Sequence, residues 1–103
     1  MSVVKLTKEN FAREVLESEK KVLVDFYADW CGPCQMMGPV IEEIAGERSD
    51  IKVCKINIDE EMEIAQKYGV MSIPTFIVFK DGEVFKKDLG AKPKSAVLAL
   101  LEE

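Results

Sequence analysis

The sequence predicts an α/β fold in the order βαβαβαββα, a mixed five-stranded sheet with helices on both faces, and three observations carry that prediction. Val22 to Ala28 is nearly continuous apolar and β-branched at its start, as in a central strand buried on both faces. Met37, Val40, Ile41, Ile44 and Ala45 then recur at helical spacing. Asp81-Gly82 lies between two further apolar runs and is a hairpin signal. Parallel crossovers are therefore expected first and an antiparallel hairpin last.

The remaining elements follow in chain order. Val3 to Leu6 is a short strand candidate, and Thr7 offers a helix cap before Phe11, Val15 and Leu16, which share one helical face. Ser18 to Lys21 reads as the polar turn into the central strand. The helix after it is expected to begin at Cys34, with a kink near Gln35 to Pro39, because a proline inside a helix removes one backbone donor and clashes with the preceding turn. Ile51 to Ile58 returns to strand composition. Asp59 is expected to cap a helix with Glu60, Glu61 and Glu63 at its positive end and Lys67 and Gly69 closing it. Ser72 to Phe79 reads as the fourth strand, Val84 to Leu89 as the fifth, and Pro93 opens a last helix with Val97, Leu98 and Leu101 on one face.

Composition limits what such a chain does. With 103 residues, 48% hydrophobic and 32% charged, there is enough for one core and too little for two, so residues 1–103 are expected as one domain. A net charge of -5 sets like charge against a polyanion, which disfavours nucleic acid. The longest uncharged runs, Trp30 to Ile41 and Tyr68 to Phe79, fall short of the roughly 18 residues of a membrane span. Lys5, Lys8, Glu9, Arg13 and Glu14 leave no room for the apolar core of a secretory signal, so a cytoplasmic protein is expected.

Histidine is absent, which removes the usual general base, the commonest metal ligand and the Cys-His catalytic pair. Three cysteines without histidine cannot complete a structural zinc site, and their odd number argues against a disulfide framework. Any disulfide should be transient.

The chemistry concentrates in Trp30-Cys31-Gly32-Pro33-Cys34, a cysteine pair between the central strand and the start of a helix. Unsatisfied backbone donors at a helix N-terminus favour thiolate at Cys31, the expected nucleophile. Cys34, one turn further in, is placed to attack the sulfur of Cys31 once that sulfur carries a substrate. The bland reading, half a zinc knuckle or two incidental core cysteines, is weakened by the missing ligands. Gly32-Pro33 adds no cation to stabilise the thiolate, which points to a reductase rather than an oxidase.

These residues, with Lys55-Ile56-Asn57-Ile58-Asp59, Tyr68-Gly69-Val70, Ile73-Pro74-Thr75 and Gly90-Ala91, resemble the thioredoxin family over the whole chain. Thioredoxins are themselves the standard instance of a low-pKa Cys-x-x-Cys pair, so the helix-terminus argument is not independent of the resemblance. One departure is Tyr27, where many thioredoxins carry a second tryptophan.

The resemblance implies the thioredoxin fold and a protein disulfide reductase. It makes Asp25, on the strand face of Leu23 and Tyr27, the carboxylate behind Cys34 that assists its deprotonation, with Lys55 as charge partner. On residues alone, Asp25 could equally be a solvated or structural aspartate, and Lys55 a surface lysine. It further implies a cis Ile73-Pro74 bond facing the cysteines, with the backbone of Ser72 and Ile73 open to an extended substrate segment. Trp30, Gly32, Pro33, Gly69, Val70, Gly90 and Ala91 would complete the docking surface, although ordinary packing explains Val70 and Ala91 as well.

No cofactor is expected, since the chain has no phosphate-binding glycine motif. By resemblance the electrons come from an NADPH-dependent flavin thioredoxin reductase, the substrates are disulfide-containing proteins, and the protein is a monomer. A single-partner oxidoreductase of the same fold and a redox-independent binding module are the rival readings. Cys54, Met36, Met37, Met62 and Met71 receive no role beyond packing or surface.

Overall fold

The computed structural model describes residues 2–103. β1 (Val4–Lys5), β2 (Lys21–Tyr27), β3 (Ile51–Asn57), β4 (Thr75–Lys80) and β5 (Glu83–Leu89) form one sheet in the order β1-β3-β2-β4-β5. β2 lies in its middle, as its apolar run requires, with β3 parallel on one side and β4 antiparallel on the other. The order βαβαβαββα holds. Its helices are a short π-helical segment (Ala12–Leu16), α1 (Gly32–Glu47), α2 (Met62–Lys67) and α3 (Lys94–Ala99).

Alternation along β2 separates two cores. Val22, Val24 and Phe26 join Phe11, Val15, Ile56, Ala65, Ile77 and Phe79 on the face covered by the π-helical segment and α2. Phe11, Tyr68 and Phe79 pack there with ring centroids 5.2 to 6.0 Å apart, which ties both helical pieces to β4. On the opposite face Leu23, Phe76 and Val78 meet Met37, Ile41 and Ile44 of α1 and Val97 of α3. Asp25 therefore lies on the α1 side of the sheet, one residue pair along from Leu23.

Several boundaries depart from expectation. Thr7 does not cap with its hydroxyl; its N–H donates to Asn10 Oδ1 at 2.8 Å and its carbonyl accepts from Phe11 N–H at 3.0 Å. The segment that follows closes through an i→i+5 bond from Glu17 N–H to Ala12 O. α1 starts at Gly32, directly after Cys31, and continues past Pro39 as one helix. Ser72, Ile73 and Pro74 precede β4 instead of belonging to it. Thr75 Oγ1 donates to Ser72 O at 2.6 Å and closes a turn, so pairing with β2 begins only at Thr75 opposite Phe26. Asp81 (φ 54) and Gly82 (φ 79) form the left-handed pair of the expected hairpin.

Candidate functional site

The cysteine pair sits where β2 hands over to α1, at the edge of the sheet's α1 face. Cys31 is the N-cap of α1, in extended conformation, and its Sγ accepts the N–H of Cys34 at 3.2 Å. The sulfur thus occupies the place of a capping oxygen, among the unpaired N–H groups that favour negative charge. Cys31 and Cys34 lie at disulfide distance with Cα atoms 5.2 Å apart, and both are 5% exposed. Exposure does not distinguish them; position does. Cys31 is at the helix mouth, whereas Cys34 lines a cavity of about 250 Å³ together with Asp25, Tyr27, Ala28, Asp29, Gln35, Gly38 and Lys55.

Asp25 is 5% exposed, and its Oδ1 is buried without a hydrogen-bond partner among the described residues. Burial pushes its carboxyl up from 3.8 to about 7, against the opposing pull of Lys55. Lys55 stands opposite Asp25 in the β2–β3 register but makes no ion pair with it; its Nζ lies 5.9 Å from the Tyr27 ring centroid. Desolvation outweighs the one nearby positive charge, which leaves a carboxyl that titrates near neutrality inside the cavity shared with Cys34.

Across from Cys31, the Ile73-Pro74 bond is cis and Ile73 O lies 3.9 Å from Cys31 Sγ. Ile73 is half-buried against Ala28 and the cysteines, Pro74 is buried, and Ser72 is exposed. Gly90 (φ 89) donates its N–H to Pro74 O at 2.8 Å, which brings Gly90-Ala91 beside this turn. Gly32, Pro33, Gly69 and Ala91 are exposed. Val70 is half-buried: one side of it packs on the core near α2, and its N–H donates to Ala65 O.

Trp30 is 70% exposed yet fixed, because its Nε1–H donates to Asp59 Oδ2 at 2.8 Å. Asp59 was expected to cap α2. The turn before that helix is instead held by buried Asn57, whose Oδ1 accepts from the N–H groups of Asp59 and Glu60 at 2.9 and 3.3 Å. Sequence reasoning missed Asn57 and Asp59 as supports of Trp30. An asparagine followed two residues later by an aspartate is a turn signal that could have pointed to the first, but nothing local pairs Asp59 with an indole 29 positions away.

Among the described residues no three His, Cys, Asp or Glu side chains are grouped as a metal site, and no helix is long and apolar enough to cross a membrane. Cys54 is fully buried, and burial pushes its thiol up to about 12, which disfavours the thiolate form.

Comparison with known proteins matches residues 2–103 to a family model described as Thioredoxin. The chain is 51% identical over 104 residues to a thioredoxin of Bacillus subtilis, covering 100% of this chain and 98% of the relative. It is 50% identical over 103 residues to a thioredoxin of Mycobacterium tuberculosis (99% and 89%), and 48% identical over 99 residues to thioredoxin 1 of Synechococcus elongatus (95% and 92%).

Proposed function

The chain belongs to the thioredoxin family, and on that premise we propose that Cys31 is the attacking thiol of this protein disulfide reductase and Cys34 the thiol that resolves it. The chain is a dithiol-disulfide oxidoreductase that acts on disulfide-containing proteins and has a thioredoxin reductase as partner. The observation that carries the assignment of roles is the capping position of the Cys31 sulfur, with Cys34 turned to the Asp25 cavity.

In the reductive half-cycle the Cys31 thiolate attacks one sulfur of a partner's disulfide and expels the other as a thiolate. Cys34 gives its proton to the Asp25 carboxylate and attacks Cys31 Sγ, which releases the second partner sulfur. The partner ends with two thiols and the chain with a Cys31–Cys34 disulfide, two electrons having moved. A carboxyl titrating near 7 suits this transfer, since both of its forms are populated at neutral pH. Lys55 favours the charged form of Asp25 across the strand pair.

Substrate docks on Trp30, Gly32 and Pro33 at the helix mouth and on Gly69, Val70, Gly90 and Ala91 around it. The segment next to the scissile disulfide lies extended along Ser72, Ile73 and Pro74. Support comes from the exposure of Ser72 and the approach of Ile73 O to Cys31. Residues 1–103 act as one domain and as a monomer in the cytoplasm, where thiols are kept reduced and the disulfide can cycle. The reductase that returns the electrons is an NADPH-dependent flavoprotein.

The test is turnover of an unrelated disulfide protein such as insulin, with dithiothreitol as electron donor. Wild type is expected to accelerate reduction and Cys31→Ser to fall to background. A Cys31→Ser protein that still accelerates it would overturn the assignment.

A further inference from the structure

Lys92 follows β5 by three residues and is the least exposed of the ion-paired lysines, with 11% of its side chain accessible against 27% for Lys52 and 29% for Lys94. Lysines are seldom buried to this degree unless their charge is well partnered. Here the side chain turns back over its own loop. Nζ donates to Gly90 O at 2.7 Å and Leu89 O at 3.0 Å, lies 3.4 Å from Asp88 Oδ2, and sits 5.1 Å from the Phe76 ring centroid. Gly90 is thus held from both sides, its carbonyl by the ammonium and its N–H by Pro74 O at 2.8 Å.

We propose that Lys92 is a positioning residue that clamps the Gly90-Ala91 segment against the Ile73-Pro74 turn and so sets the docking of extended protein substrates beside Cys31. The inference deepens the disulfide-reductase reading and rests on it. The ammonium gathers the successive carbonyls of Leu89 and Gly90 at the end of the edge strand β5, and this turns Gly90 N–H toward Pro74. A protein segment laid along Ser72 and Ile73 would meet a second wall of fixed height at Gly90-Ala91. A small disulfide, needing only the sulfur of Cys31, would not contact that wall.

The test is Lys92→Met, which keeps an unbranched apolar side chain and removes the ammonium with its contacts to the two carbonyls, Asp88 and the Phe76 ring. Lys94→Met, which removes a lysine bonded to Glu43 and Glu47 on the α1–α3 side, is the control for charge and stability. Lys92→Met is expected to lose roughly three- to tenfold in kcat/KM for a protein disulfide through KM, the scale of one or two hydrogen bonds, and to reduce a small aromatic disulfide at the wild-type rate. Lys94→Met should leave both unchanged. Amide exchange at Gly90, read by NMR, is expected to accelerate in Lys92→Met only. Unchanged Gly90 exchange, or equal losses on both substrates, would overturn the clamp. Wild type failing on every protein disulfide would instead defeat the reductase reading, while Gly90 exchange would still decide the clamp.

Discussion

Replacing Asp25 by alanine should make the protein more stable at neutral pH, and the gain should disappear in acid. The carboxyl is 5% exposed, has an oxygen without a partner among the described residues, and is pushed by burial from 3.8 to about 7. A folded pKa above the unfolded one means the native state holds the proton more tightly. The stability tied to this group is therefore fully present below about 4 and is lost as pH rises through about 7. At about 1.4 kcal/mol per tenfold change, the displacement corresponds to roughly 4 kcal/mol of stability lost between those limits. Truncation also removes packing beside the cavity, a cost that does not depend on pH. The informative quantity is therefore the change in the difference between wild type and Asp25→Ala from pH 4 to pH 8. Denaturant melts of both oxidised proteins across that range measure it, and a difference that stays constant with pH would refute the reasoning. Single-turnover release of a mixed disulfide should also slow by at least about tenfold, because Cys34 loses its proton acceptor.

Three further outcomes are expected. Cys34→Ser should accumulate covalent complexes with disulfide partners on non-reducing gels and Cys31→Ser none, since the first attack needs only Cys31; equal trapping by both would reverse their roles. Gly82→Ala should cost about 1–3 kcal/mol in denaturant melts, because φ is +79 and the added Cβ would stand 2.8 Å from the Leu16 carbonyl oxygen; unaltered stability would show that the hairpin relaxes freely. Trp30, the only tryptophan, is 70% exposed and fixed by Asp59, so its emission should change little when the disulfide is reduced, and a large enhancement in a fluorescence titration would show strong quenching by the disulfide.

Much of the site is legible in the sequence. The cysteine pair after a buried strand placed the site at a helix start, because the end of an apolar run and the start of a helical period meet there, although the helix begins at Gly32 instead of Cys34. The alternation of β2 put Asp25 on the face of Leu23, which proved to be the α1 side beneath Cys34. Less legible were Ser72 to Pro74, which read as strand because Ser72 to Phe79 is apolar throughout its second half. The turn closed by Thr75 Oγ1 depends on one hydroxyl meeting one carbonyl, and hydropathy does not register that contact.

What the sequence by itself determined is what periodicity and residue chemistry can carry: the order of elements, the central place of β2, the left-handed turn at Asp81-Gly82, and a redox pair at a helix start. Tertiary structure alone decided the partners. Asp59 holds Trp30 instead of capping α2, Asp25 is desolvated with Lys55 opposite it but unpaired, and Lys92 folds back over Gly90. Secondary structure follows from intervals of two to four residues along the chain. These contacts and burials depend on how strands and loops far apart in sequence are brought together, and that separation is fixed only when the two cores pack on the sheet.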